Sequence, residues 1–173
     1  VDMRKGIARD EFFLLYQAQV THRGEVLGAE ALIRWQHPQR GLLAPGVFLP
    51  VIENHPLSVD LGEWVITAAL RQMSQWQAEG IDIAVSVNIG ARQLQQENFA
   101  SRLAALLAAN PDIHPAQLEL EILETSALED ITQVSEVMRA CQALGVRFAL
   151  DDFGTGYSSL TRSEEHTSEL QSR

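Results

Sequence analysis

Apolar runs alternate with helical stretches along this chain, and this alternation limits the folds available to it. Four runs stand out, at residues 30–35, 84–90, 118–124 and 148–159. They are rich in Val, Ile, Leu and Ala, as strands buried on both faces of a parallel sheet are. Helical stretches between such strands imply right-handed βαβ units. The sequence therefore predicts an α/β protein built around a parallel sheet.

The sheet is predicted to begin with an antiparallel pair. Residues 12–20 and 26–35 are typical of two strands, and only the turn at 21–25 separates them. A parallel crossover needs about a dozen residues or more. We therefore expect these two strands to form a hairpin.

The remaining elements are marked by apolar periodicity and by Gly or Pro at their ends. Gly80 and Gly145 are placed to end two of the helices, because glycine is favoured just beyond a helix C-terminus. The predicted helices are 47–53, 58 or 60 to 79, 91–109 and 131–144, and the predicted later strands are 83–89, 118–123 and 146–150.

Polar side chains are confined to one face of three of these strands. Side chains alternate between the two faces along a strand, so residues two positions apart share a face. The apolar residues between them then face the helices. The polar residues that share the other face are Glu30, Arg34, Ser86, Asn88, Glu119 and Glu121.

An open doubly wound sheet and a (β/α)8 barrel both fit this order of elements. Polar groups at the carboxyl ends of successive strands favour the barrel, whose active sites lie at that face. A closed barrel typically has about 250 residues, and this chain has 173. The predicted fold is therefore an incomplete (β/α)8 TIM-like barrel with an antiparallel first strand.

The shared polar face is typical of a site for a hard divalent cation. Such cations take carboxylate, amide and water oxygens as ligands, and magnesium or manganese is the best match. Two such cations could activate a water and stabilise the leaving oxygen of a phosphodiester. The candidate ligands are Glu30, Asn88, Glu121 and Asp151, with Asp152 placed to serve a second cation and Arg34 to bind a phosphate oxygen.

Composition argues against several other functions. The formal net charge of −10 is unsuited to a non-specific nucleic-acid surface. Cys141 is the single cysteine, so we expect a core thiol and no disulfide within the chain. No run of about 18 apolar residues occurs, so no membrane span is predicted, and no export signal is predicted.

The motifs EALIRW, VNIGARQL, LELEILE and DDFGTGYSS, in this order, closely resemble the EAL domain of bacterial cyclic di-GMP phosphodiesterases. The resemblance covers roughly residues 12–160. It implies a modified (β/α)8 barrel with an antiparallel first strand. It also implies hydrolysis of cyclic di-GMP to linear pGpG in second-messenger signalling, dependent on magnesium or manganese and involving two cations.

The resemblance also implies a role for individual residues. Gln17 matches a position near a guanine, and Ala18 stands where the family more often has Pro. Glu124 would hold the loop 153–159 in shape, and Asp152 would bind the second metal or orient water. The implied metal ligands are Glu30, Asn88, Glu121 and Asp151, and the implied nucleotide and phosphate contacts are Leu32 and Arg34.

The two ends of the chain are expected to lie outside this domain. Residues 1–11 are predicted to form a lead-in helix or linker, which in the family often follows a GGDEF or sensory domain. Residues 12–161 are the predicted partial EAL domain. Residues 162–173 resemble a translated sequencing adapter and are expected to be an artefactual tail.

Catalysis is expected of the intact parent rather than of this chain alone. The family supplies a catalytic lysine from a later strand, whereas Lys5 is the only lysine here. We expect the parent to be a cytoplasmic domain that forms a homodimer, in a protein that is sometimes membrane-tethered. Two alternatives remain open: a non-catalytic cyclic di-GMP receptor, and an unrelated magnesium-dependent barrel enzyme.

Overall fold

The computed structural model describes residues 2–122 and 131–150 of the chain. The helices are α1 (Asp2–Ala8), α2 (Pro45–Ile52), α3 (Leu57–Ala78), α4 (Ala91–Leu94), α5 (Phe99–Ala108) and α6 (Ile131–Ala143), with a 3₁₀ turn at Pro115–Gln117. The strands are β1 (Phe12–Val20), β2 (Val26–His37), β3 (Gly41–Leu43), β4 (Ala84–Ile89), β5 (Leu118–Ile122) and β6 (Arg147–Leu150). The predictions made for residues 123–130 and 151–173 lie outside the described residues.

The strands form one six-stranded sheet in the order β1-β2-β4-β5-β6, with β3 paired to β2. The pairs β1–β2 and β2–β3 are antiparallel. The pairs β2–β4, β4–β5 and β5–β6 are parallel. Over residues 2–122 and 131–150 the sheet does not close on itself, so the prediction of an incomplete barrel with an antiparallel first strand is confirmed.

The core lies between the sheet and the helices. Its strand residues are almost fully buried, among them Val85, Leu118 and Leu120 at 0% exposure. The facing helices contribute Leu70 and Cys141, which are also at 0%. Each fully buried aliphatic side chain stabilises the fold by about 1.5–3 kcal/mol relative to an exposed one. The side of each strand that was predicted to be apolar is therefore the side that the helices cover.

The helix predicted at 91–109 is wrong as one element, because the structure has two helices there. Helix α4 ends at Leu94 and α5 begins at Phe99. Leu94 and Phe99 are both buried, yet five residues of continuous helix would place them about 140° apart. The break allows both side chains to reach the core. Ser101 Oγ donates to the Asn98 carbonyl at 2.9 Å where α5 begins.

Strand β3 was not predicted. His37 ends β2, and its Nδ1 accepts hydrogen bonds from the backbone N–H groups of Gln39 and Arg40, each at 3.1 Å. Gly41 follows with φ +76°, a left-handed conformation that glycine adopts without strain. This tight turn brings Leu43 back beside Trp35. A strand of three residues carries no periodicity that sequence reasoning could detect.

Helix α1 packs onto the β1–β2 hairpin. Met3 is buried, and a Cβ added at Gly6 would lie 2.9 Å from the Phe12 ring and 3.1 Å from Trp35 Nε1. Trp35 Nε1 also donates a 3.0 Å hydrogen bond to Glu11 Oε2, just before β1. The start of the described chain is therefore held against the strand that carries Glu30. None of the described helices is both long enough and apolar enough to cross a membrane.

Candidate functional site

The face of the sheet opposite the helices carries the candidate residues. Gln17 lies opposite Glu30 in the β1–β2 pairing, and Glu30 is paired with Ser86 of β4. One step further along β4, Asn88 is paired with Glu121 of β5. Paired residues of neighbouring strands point to the same side of a sheet. The residues predicted to share a face therefore do so.

Glu30 and Asn88 make direct contact across two parallel strands. Asn88 Nδ2 donates to Glu30 Oε1 at 3.3 Å, and Glu30 is only 2% exposed. In the part of the chain that the structure describes, Asn88 Oδ1 is buried and has no hydrogen-bond partner. A buried carbonyl oxygen without a partner loses free energy unless a donor or a cation meets it. This oxygen beside a buried carboxylate therefore suits a hard divalent cation.

Among the other candidate metal ligands, Glu121 lies within the described residues. Glu121 is half-buried and lies in register with Asn88. Asp151, Asp152 and Glu124 lie outside the described residues. No cluster of three or more His, Cys, Asp or Glu side chains with metal-binding geometry occurs within residues 2–122 and 131–150. Of the predicted metal ligands, Glu30 and Glu121 are the acidic residues that the structure describes, and Asn88 contributes an amide. Two carboxylates do not make a cluster of three.

The predicted nucleotide contacts lie on the same face as Glu30. Leu32 is paired with Leu15, and Arg34 is paired with Phe13. Leu32 is 3% exposed and Gln17 5%, whereas Arg34 is half-buried. Arg34 Nη1 donates to its neighbouring carbonyl, at Ile33, at 2.9 Å. The guanidinium is thus held at the end of β2, with further N–H groups that can bind an anion.

A second polar contact lies one step below the Asn88–Glu121 pair. Ser86 Oγ donates to Glu119 Oε1 at 3.0 Å, and Ser86 is buried. Sequence reasoning placed both residues on the polar face but did not predict that they pair. The spacing could have indicated this pair, because Ser86 lies two residues before Asn88 and Glu119 lies two residues before Glu121.

Groups with raised pKa values lie on the helix-covered side of the sheet. Burial raises the pKa of Tyr16 to about 12, and its ring packs edge-to-face on Trp76 with centroids 4.9 Å apart. Burial also raises the pKa of the Cys141 thiol to about 11. Both groups stay neutral at physiological pH, so neither adds charge to the polar face.

A separate small cavity of about 20 Å³ lies among the helices, lined in part by Glu63, Gln93 and Arg102. Arg102 binds Glu63 through two hydrogen bonds of 2.5 and 2.7 Å, which raise the pKa of the guanidinium. This ion pair is exposed to solvent, so its contribution to the stability of the fold is small. The cavity is lined by residues of α3, α4 and α5 and includes none of the candidate ligands.

The sequence profile of the EAL domain family matches residues 1–167. This chain therefore belongs to the EAL domain family. The cyclic di-GMP phosphodiesterase PdeR of Escherichia coli strain K12 is 38% identical over 161 residues, covering 93% of this chain and 24% of PdeR. The bifunctional diguanylate cyclase/cyclic di-GMP phosphodiesterase MucR of Pseudomonas aeruginosa is 39% identical over 161 residues, covering 92% of this chain and 23% of MucR.

The fold agrees with solved EAL structures. The PaMucR phosphodiesterase, solved as a c-di-GMP complex, superposes with a TM-score of 0.81 at 39% identity. That comparison covers 92% of this chain and 65% of the other. This chain spans about a quarter of the length of the two curated relatives.

Proposed function

We propose that this chain carries the substrate site of a cyclic di-GMP phosphodiesterase, which hydrolyses cyclic di-GMP to linear pGpG. The observation that carries the proposal is the Asn88–Glu30 contact of 3.3 Å, with the second oxygen of the carboxamide buried and unpartnered among the described residues. The named activities of PdeR and MucR support the same reaction.

Several of the candidate residues would bind metal ions. Glu30, Asn88, Glu121 and Asp151 would hold Mg²⁺ or Mn²⁺, with Asp152 holding a second cation or orienting water. When bound, such cations lower the pKa of a water and stabilise the leaving oxygen of a phosphodiester.

The remaining residues would bind substrate and keep the site in shape. Arg34 would donate to a phosphate oxygen, as its planar set of N–H groups suits. Leu32 would form an apolar wall against the nucleotide, and Gln17 would lie close to a guanine. Glu124 would hold the loop 153–159 in place. These roles are proposals drawn from the family motifs that this sequence matches.

The test is a chromatographic assay of pGpG formation with Mg²⁺, on the full-length product of the gene and on its Glu30→Ala variant. We expect Glu30→Ala to lower turnover roughly 100-fold or more, because losing a metal ligand removes several kcal/mol of transition-state stabilisation. Glu25→Ala is the matched control, since Glu25 lies in the exposed turn between β1 and β2. Equal turnover by the Glu30→Ala variant and the unmodified protein would contradict the proposal.

The runner-up function is a cyclic di-GMP receptor that binds without turnover. Loss of Glu30, or of Asp151 or Asp152, would favour the receptor, and all three residues are present in the sequence. We propose that the 173-residue chain by itself gives no measurable hydrolysis. Nucleotide binding without pGpG formation by the full-length product would select the receptor.

Assembly and location follow from the same proposal. We propose a homodimer, which light scattering of the full-length product would detect. We also propose an upstream GGDEF or sensory domain joined through residues 1–11. Because cyclic di-GMP acts as an intracellular messenger in the family, we propose that the domain works in the cytoplasm, whether or not its parent is tethered to a membrane.

A further inference from the structure

Glu11, just before β1, holds the end of β2 at two points. Its backbone carbonyl accepts a 2.8 Å hydrogen bond from the N–H of Gln36. Its carboxylate Oε2 accepts a 3.0 Å hydrogen bond from Nε1 of Trp35. These two partners are the residues that directly follow Arg34 along β2. A single residue therefore fixes both the backbone and the side chain next to the candidate phosphate contact.

The indole of Trp35 is fixed on its other sides by the core. Trp35 is 4% exposed, and its ring stacks on Phe12 with centroids 5.0 Å apart and meets Phe48 edge-on at 5.7 Å. The Nε1 group is the only polar atom of this side chain, and it can only donate. Loss of the Glu11 carboxylate would therefore take away the acceptor of a buried donor, which is unfavourable.

Helix α1 covers this hydrogen bond. A Cβ added at Gly6 would lie 2.9 Å from Glu11 Oε2 and 3.1 Å from Trp35 Nε1, so the backbone of α1 lies directly against both atoms. A hydrogen bond that is shielded from water is electrostatically stronger than one in water. Glycine at position 6 therefore leaves room for the donor and the acceptor to meet beneath the helix.

Arg34 and Trp35 point to opposite sides of β2, because side chains alternate along a strand. Trp35 belongs to the core, whereas Arg34 lies on the polar face, paired with Phe13 of β1. Nη1 of Arg34 donates to the Ile33 carbonyl at 2.9 Å, which ties the guanidinium to the backbone of its own strand. A shift of that backbone would therefore move the guanidinium with it.

We propose that Glu11 is a positioning residue for Arg34, holding the end of β2 where the guanidinium meets a phosphate oxygen of the nucleotide. It acts through its hydrogen bonds to Trp35 and Gln36. This inference rests on the proposed function, in which Arg34 binds that phosphate. Small displacements of a group that positions substrate have large effects, so Glu11 influences nucleotide binding without touching the nucleotide.

The test measures KM and kcat for cyclic di-GMP on the full-length gene product and on its Glu11→Ala variant, well below the unfolding temperature. We expect KM to rise on the order of ten-fold, the effect of losing one hydrogen bond to a charged group. The kcat and the Kd for Mn²⁺ should change little, because a binding contact is lost and no metal ligand is. Glu11→Gln keeps an acceptor for the indole and should recover most of the KM. Glu25→Ala is the matched control, since Glu25 lies in the exposed turn at the other end of the hairpin, and it should change neither constant.

Two double-mutant cycles show whether Glu11 acts through the proposed route. Arg34→Ala removes the guanidinium, so Glu11→Ala should raise KM no further in that background. Trp35→Phe keeps an aromatic ring without the N–H donor, and its effect on KM should not add to that of Glu11→Ala. Additive effects in either cycle would overturn the inference. Gly6→Ala, which crowds both partners, is the second variant if Trp35→Phe fails to fold, and it should raise KM as Glu11→Ala does.

The possible failures are distinguishable. A lower urea midpoint in Glu11→Ala with an unchanged KM would make the contact purely structural and overturn the positioning role alone. If the unmodified protein binds cyclic di-GMP without forming pGpG, the Kd from calorimetry takes the place of KM in every comparison, with the same expected changes. An unmodified protein that neither binds nor hydrolyses cyclic di-GMP would overturn the proposed function and this inference with it.

Discussion

Asn88 uses the two ends of its carboxamide differently. The Nδ2 group donates to Glu30, which fixes the plane of the amide. The Oδ1 atom is then left buried, and no described residue donates to it. Substituting Asp at this position would place a second carboxylate against Glu30 and remove the donor. An amide at position 88 therefore does what no carboxylate could do, because it supplies one donor and one acceptor at once.

Cys141 offers a residue-scale test of the core. Its side chain is fully buried, and burial raises its pKa to about 11. The thiolate is the reactive form, so we expect the native chain to react slowly with a thiol reagent such as DTNB at pH 8 and rapidly in urea. Because the chain has a single cysteine, the absorbance change reports this site alone. Rapid reaction of the native chain would contradict the buried placement.

The same group predicts a dependence of stability on pH. A thiol whose pKa is raised by folding binds its proton more tightly in the folded state, so stability is lost as pH rises from the ordinary thiol range towards 11. Between pH 8 and pH 10 the unfolding free energy of the unmodified chain should fall by about 1–2 kcal/mol more than that of Cys141→Ala. Urea denaturation at both pH values measures the difference, and Tyr16 is common to both proteins.

At the scale of the element, β2 contributes side chains both to the polar face and to the hydrophobic core. Its Glu30, Leu32 and Arg34 lie on the polar face, and its Ala31 and Ile33 belong to the core. The strand also pairs with three others, β1, β3 and β4. A change in its position would therefore alter the core and the candidate site together.

Gly28 allows β2 and β4 to approach each other. A Cβ at this position would lie 2.8 Å from the backbone oxygen of Ala84, and backbone cannot move aside as a flexible side chain can. We expect Gly28→Ala to lower the free energy of unfolding by about 1–3 kcal/mol. Gly46→Ala in α2 is the control, since nothing lies within 4 Å of the added Cβ. Equal urea midpoints for the two variants would show that β2 and β4 are less tightly apposed.

Sequence patterns predicted the elements better than the contacts between them. The short connection at 21–25 was sufficient to predict the hairpin, and alternation along β2, β4 and β5 predicted the shared polar face. The Asn88–Glu30 contact was not predictable, because the register pairs Glu30 with Ser86 and the contact runs diagonally to the next position. Register depends on how the whole sheet packs, which no single strand encodes.

At the scale of the whole molecule, the described sheet is open, with β1 and β6 as its outer strands over residues 2–122 and 131–150. Outer strands present unpaired N–H and C=O groups that can pair with another chain. Leu150 of β6 is 56% exposed, and Leu15 of β1 is 42% exposed. We expect this surface to limit the solubility of the 173-residue chain on its own.

The domain boundary proposed at residue 161 has a direct test. If residues 162–173 lie outside the fold, a chain ending at residue 161 should unfold with the same free energy as the full chain, within about 0.5 kcal/mol. Thermal and urea unfolding of the two chains measure this. A clearly lower stability of the shorter chain would show that the last residues pack against the domain.

The strict alternation of faces along β2 also bears on which changes of chain length the protein can tolerate. One residue inserted between Gly28 and Glu30 would turn every later side chain of the strand over, sending Glu30 towards the helices and Ala31 into the site. An insertion in the exposed loop at 21–25 would leave the alternation of side chains along β2 unchanged. Relatives of this chain should therefore differ in length at the loop and keep a fixed count of residues through the strand.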